Sequence, residues 1–228
     1  GALAAGTHDI GAAYSGTTNL GTSSDEVAQR VDLVETTTEL TSSPDQSQFG
    51  EPVTFTATVR AGAQPATGGT VQFSDDGTAL GPPVPLAADG TATHTALSLS
   101  VGSHSITAVY SGTAAMAGSE DSLTYLVGQV PSVTTLASSA NPVEFGTAVT
   151  FTATVTSGGQ PVTGGTVQFQ ADGDDIGDPV PLAGGSAALT RTDLPAGTHS
   201  ITASFTGTTE IAGSTSEALE QVIENAES

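Results

Sequence analysis

VTFTATV, spanning Val53 to Val59, returns letter for letter from Val149 to Val155, 96 residues later. Val53, Phe55, Ala57 and Val59 alternate with Thr54, Thr56 and Thr58, the period of two that a strand with one buried face requires. Around this stretch the same offset relates Phe49-Gly50 to Phe145-Gly146, TGGTVQF from Thr67 to TGGTVQF from Thr163, and PVPLA from Pro83 to PVPLA from Pro179. After one deletion the offset becomes 95, so that GSHSITA from Gly102 answers GTHSITA from Gly197. Gly6 to Gly16 matches Gly102 to Gly112 at an offset of 96 and forms part of a third copy.

A period near 96 is too long for a solenoid unit of about 20 to 50 residues and suits one independent β-sandwich of about 100. Alternation recurs at Val71 and Phe73, and at Ile106, Ala108 and Tyr110, between turn signals such as Asp75-Asp76-Gly77 and Ala88-Asp89-Gly90. The expectation is an all-β chain of about seven strands per repeat. In the first full repeat they fall near Thr36 to Ser42, Pro52 to Arg60, Thr70 to Ser74, Thr78 to Leu86, Thr91 to Leu97, Ser103 to Tyr110 and Ser122 to Val127. The expected domains are residues 32–130, residues 131–228, and residues 1–31 as the last two strands of a further copy.

Composition removes whole classes of function. The 228 residues carry Lys+Arg 3 against Asp+Glu 24, a net charge of −21, and the three cations are Arg30, Arg60 and Arg191. A phosphate-neutralising surface cannot be built from these, nor, without lysine, can a Schiff base or a Walker-type loop, so nucleic acid is not an expected partner. Cys 0 removes disulfides and thiolate chemistry. No apolar run approaches the roughly 18 to 20 residues of a membrane span. Gly 28 and Pro 12 fit a chain of many turns and few helices.

These residues resemble the bacterial immunoglobulin-like repeat domains of secreted and cell-surface proteins. The resemblance rests on the Thr-rich opening strand with Leu40 or Leu136, Asn141-Pro142 before Phe145-Gly146, VTFTATV, GGTVQF, and the His-Ser-Ile-Thr-Ala strand followed by Tyr110 or Phe205 and Ala-Gly-Ser. Asp45-Gln46 stands where the second full copy has Asn141-Pro142. The resemblance implies tandem immunoglobulin-like sandwiches outside the cell, neighbouring domains of the same longer chain as partners, and no cofactor. Without the antibody-type Cys, Trp and Cys framework, each core is expected to rest on aliphatic and Phe packing.

Four histidines are the candidates for acid–base work near neutral pH. His8, His104 and His199 occupy one equivalent position, and a residue present in every copy is expected to tie a turn rather than to catalyse. His94 answers Leu189 and is expected to be a half-buried side chain. Asp172, Asp174, Asp175 and Asp178 crowd one Gly-containing turn, where a hard cation finds oxygen ligands. Their spacing lacks the register of an EF-hand loop, so a solvated hairpin is the first reading and calcium the second. No Gly-x-Ser-x-Gly elbow stands at a strand-to-helix junction, and Trp 0 leaves no indole platform for a sugar. No catalytic residue is expected. The outward threonines form a hydroxyl ladder that could face ice or carbohydrate, although threonine is also an ordinary residue of exposed strands.

The function expected from the sequence is a non-catalytic spacer, stalk or filament segment of an extracellular bacterial protein. At ~3.4 Å per residue a repeat is on the order of 35 Å long, and two and a fraction reach about 80 to 90 Å. The alternative is a binding module, an adhesin or virion decoration that holds a glycan or protein by its end loops. Residues 32–130 carry ten acids and residues 131–228 carry eleven, so neither copy looks specialised. A hairpin alone is unstable in water, so the native chain is expected to continue before Gly1 with at least about 65 residues of the same repeat.

Overall fold

The computed structural model describes residues 3–226, and it holds no helix among them. Two compact units divide after Val127. The first opens with a hairpin, β1 (Gly6–Tyr14) and β2 (Ser23–Val31), and continues through β3 (Thr37–Ser43), β4 (Gln46–Gln48), β5 (Val53–Ala61), β6 (Gln64–Pro65), β7 (Thr70–Asp75), β8 (Thr78–Ala79), β9 (Val84–Pro85), β10 (Thr91–Ala96), β11 (Gly102–Tyr110) and β12 (Ser119–Gly128). The second holds β13 (Val133–Ser138), β14 (Val143–Glu144), β15 (Val149–Ser157), β16 (Gln160–Pro161), β17 (Thr166–Ala171), β18 (Asp174–Asp175), β19 (Val180–Pro181), β20 (Ser186–Arg191), β21 (Gly197–Phe205), β22 (Ser214–Thr215) and β23 (Leu219–Glu224).

Each repeat is an immunoglobulin-like sandwich of two sheets. In the first, β10-β5-β3 faces β4-β12-β11-β7-β8, with β9 added to β7. In the second, β13, β15 and β20 face β14-β23-β21-β17-β18. The VTFTATV strand is central in its sheet because its alternation lets Phe55 and Val59, or Phe151 and Val155, enter the core while threonines cover the other face. Phe73, Ile106 and Tyr110, with their counterparts Phe169, Ile201 and Phe205, come from the opposite sheet, and all ten side chains are at most 3% exposed. The expected equivalence of the two cores is therefore observed. The core of the first repeat is not aliphatic and Phe alone, since Tyr125 is as fully buried as Tyr110.

Two expected strands differ in detail. The run from Thr78 to Leu86 breaks into β8 and β9 because Gly81-Pro82-Pro83 cannot continue a ladder, Pro having no N–H to give. The last strand starts at Ser119, three residues earlier than its apolar alternation suggested.

The TGGTVQF motif has a steric cause. Gly69 has φ +75° and a Cβ there would lie 2.6 Å from Tyr110 Cε2, while at Gly165, φ +79°, it would lie 2.5 Å from Phe205 Cε2. The aromatic ring closing the core packs onto bare backbone, so only glycine fits.

The hairpin β1–β2 reproduces β11–β12 pair for pair. Gly6 faces Val31 as Gly102 faces Val127, and Tyr14 faces Ser23 as Tyr110 faces Ser119. Its apolar face is open, with Ile10 44% and Tyr14 45% exposed where Ile106 and Tyr110 are buried.

Candidate functional site

The histidine position is where polar chemistry is built into each repeat. In the first, β7 ends at Asp75 and turns through Asp76 and Gly77, both at positive φ, into β8, with Asp75 facing Thr78. A two-residue Asp-Gly loop of this kind is a type I′ hairpin, whose twist matches the strands it joins. The turn is fastened to β11 by reciprocal bonds: Asp76 N–H donates to Ser105 O at 3.0 Å, and Ser105 N–H donates to Asp76 Oδ1 at 3.0 Å. One residue earlier, His104 places Nδ1 3.0 Å from both carboxylate oxygens of Asp75 and Nε2 2.8 Å from the carbonyl of Ser100.

The second repeat builds the same tie with one carboxylate. Asp172, at φ 54° in the turn after β17, takes the Ser200 N–H on Oδ1 at 2.8 Å and His199 Nδ1 on Oδ2 at 2.7 Å. His199 Nε2 lies 2.8 Å from Pro195 O. The offset of 96 pairs Asp172 with Asp76, and Asp75 with Ala171, so the partner shifted by one residue while the geometry persisted. His8 keeps only the first half of the motif, Nε2 at 2.7 Å from Ala4 O.

The electrostatics follow from these partners. Burial pulls the His104 imidazole down, but the Ser100 carbonyl, the Asp75 hydrogen bond and the charges of Asp75 and Asp76 outweigh it and leave its pKa raised. The hydrogen bond to Asp172, then the Pro195 carbonyl, raises His199 against the opposing effect of burial. The Ser200 amide and then His199 lower Asp172. His104 and His199 thus tie turns while His8 does not, and the carboxylate partners are what the sequence reading missed. The missing signal was Asp-Gly some 28 residues before each His-Ser.

The four clustered aspartates do not converge on one point in the hydrogen bonds they make. Asp172 serves His199 and Ser200, Asp175 Oδ1 accepts from Gln170 Nε2 at 2.8 Å, and Asp174 and Asp175 both lie exposed on β18. Asp75, Asp76 and His104 bring ligand atoms within 4.8 Å of one another, but each already holds a protein partner there. His94 is half-buried, its ring 5.9 Å from that of Phe73 and inclined by 29°. The threonine ladder is partly self-satisfied, Thr54 Oγ1 lying 3.0 Å from Thr95 Oγ1 and Thr150 Oγ1 2.9 Å from Thr190 Oγ1.

The family model for the bacterial Ig-like domain (group 3) matches the chain twice, over residues 40–128 and 135–224. The chain belongs to this family. Among solved structures, the Ig-like chain is similar to the fibronectin(III)-like modules of CbhA from Clostridium thermocellum, at 20% identity and TM-score 0.38, over 82% of this chain and 95% of that one. It is similar to the adhesin InvE of Yersinia pseudotuberculosis at 17% identity and TM-score 0.42, over 82% and 58%. A third likeness is to the titin domains z1z2 from a complex with telethonin, at 19% identity and TM-score 0.41, over 82% and 98%. No curated protein matches the chain.

Proposed function

We propose that the chain is a non-catalytic spacer, a stalk or filament segment of a bacterial surface or secreted protein. The observation that carries this reading is the sameness of the two Ig-like repeats: core positions, glycine-on-aromatic closure and the histidine tie all recur. A binding module would be expected to specialise one copy, since recognition is grafted on a fold through particular side chains. Membership of a bacterial Ig-like family and the absence, among the described residues, of a helix long and apolar enough to cross a membrane are compatible with display outside the cell. A cofactor has no role in this reading.

Residues 32–130 and 131–228 are the two complete domains in this proposal, and residues 1–31 are the last two strands of a further one. The matching register of β1–β2 and β11–β12 supports the latter.

The test is deletion of residues 32–130 from the native protein. A spacer shortens in reach by one domain, seen as a smaller maximum dimension in solution scattering, and loses no binding activity. Saturable micromolar binding of the intact chain to a glycan or protein, abolished by substitutions in the loops of one repeat, would replace the spacer with the module.

A further inference from the structure

In both repeats one imidazole stands between two groups that can only accept. His104 faces Ser100 O and the Asp75 carboxylate, and His199 faces Pro195 O and the Asp172 carboxylate. A neutral imidazole carries one N–H, so it satisfies one contact and sets lone pair against lone pair at the other. The imidazolium donates both. The Ser100 hydroxyl, 3.5 Å from His104 Nε2, is too distant to supply the missing proton with useful strength. The two contacts reach different parts of the sandwich: the carbonyl belongs to the loop four residues before His, the carboxylate to the end of the strand beside it or its turn.

We propose that His104 and His199 are acid-closed latches, which fasten loop to turn when protonated and release that end of each sandwich as the pH rises. The groups around them favour the charged form. His104 is faced by Asp75 and Asp76 from the β7 hairpin and by Tyr125 opposite it on β12; His199 is faced by Asp172 and by the amide of Gln221 opposite it on β23. Both imidazoles are raised above the ordinary 6.5, so their stabilisation is complete below about pH 6.5 and is lost as pH climbs through their folded-state values. Asp172 is lowered, so its contribution is present above about pH 4 and is lost only in stronger acid. These three groups together therefore contribute most in mildly acidic surroundings, between these limits.

The test is the melting temperature of the intact chain at pH 5.5 and at pH 8, a window in which free carboxylates stay ionised. The wild type should melt at a lower temperature at pH 8 than at pH 5.5, because both imidazoles lose stabilisation as the pH rises. His104→Gln with His199→Gln should flatten the dependence, while His8→Gln with His94→Gln should leave it intact. Should the double variant fail to fold, nitrogen-resolved NMR of the wild-type imidazoles reads the same two groups without any substitution. Both ring nitrogens of His104 and His199 should remain protonated above pH 6.5. Melting independent of pH in the wild type, an unchanged slope in the double variant, or midpoints at or below about 6.5 would overturn the latch.

Discussion

The rings of Phe55 and Tyr125 meet edge to face, centroids 5.4 Å apart and planes at 84°. The pair joins the two sheets of the first repeat, Phe55 from β5 and Tyr125 from β12, and it has no twin, because Gln221 faces His199 across the second repeat as Tyr125 faces His104 across the first. Gln221 is equally buried and reaches Ser138 Oγ at 2.6 Å and Ala140 O at 3.1 Å instead. One sandwich is bridged at this point by aromatic packing, the other by a polar network.

Phe55→Ala should therefore cost about 3 to 5 kcal/mol, from the lost side chain, the cavity and the broken ring contact. Calorimetry should show the first repeat melting before the second, and Phe151→Ala should reverse that order. A single unshifted transition for either variant would mean that the two cores are not independent.

The two buried tyrosines should respond differently to loss of the hydroxyl. Tyr110 Oη donates to Gly68 O at 3.0 Å, whereas Tyr125 Oη has no hydrogen-bond partner among the described residues. Tyr110→Phe, which installs the residue the second repeat already has at Phe205, should cost about 1 kcal/mol, and Tyr125→Phe less. Chemical denaturation of both variants compares them, and an equal loss would contradict the assignment.

Gly68 and Gly69 provide a matched pair. Both have positive φ, yet a Cβ at Gly68 meets only Thr113 Cγ2 at 3.6 Å, while one at Gly69 collides with Tyr110. Gly68→Ala should cost about 1 kcal/mol of backbone strain, and Gly69→Ala clearly more. Equal melting temperatures for the two variants would remove the steric reading of the motif.

Chelation should leave folding unchanged. Asp172 is committed to His199 and Ser200, and Asp175 to Gln170, so a cation at that turn would have to displace existing bonds. Melting with excess calcium and with a chelator should coincide within about 1 °C, since a ligand that does not bind the native state cannot shift its unfolding. Stabilisation by calcium that disappears in Asp174→Asn would put the ion back at this turn.

Strand positions were legible because burial on one face imposes alternation on VTFTATV, TVQF and SITA, and because the copies report one another. The short strands β4 and β6 were not, since Gln46–Gln48 and Gln64–Pro65 have no apolar pattern and are held by backbone pairing to neighbours. The histidine position was legible by repetition. Its carboxylate was not, because Asp75 and Asp172 occupy different places in the repeat and meet His only when the hairpin folds beside β11 or β21.

In the second repeat β14 runs parallel to β23, with Val143 beside Ile223, Glu144 beside Glu224, and Phe145 N–H donating to Glu224 O at 2.8 Å. Strands that run the same way carry the chain in at one pole and out at the other. Tension drawn through both ends of the domain would thus slide β14 along β23, straining their bonds together, whereas an antiparallel closing pair would peel one bond at a time. Single-molecule pulling should find a resistance that falls when Val143→Pro removes an N–H from this seam, and an unchanged rupture force would place the mechanical clamp elsewhere.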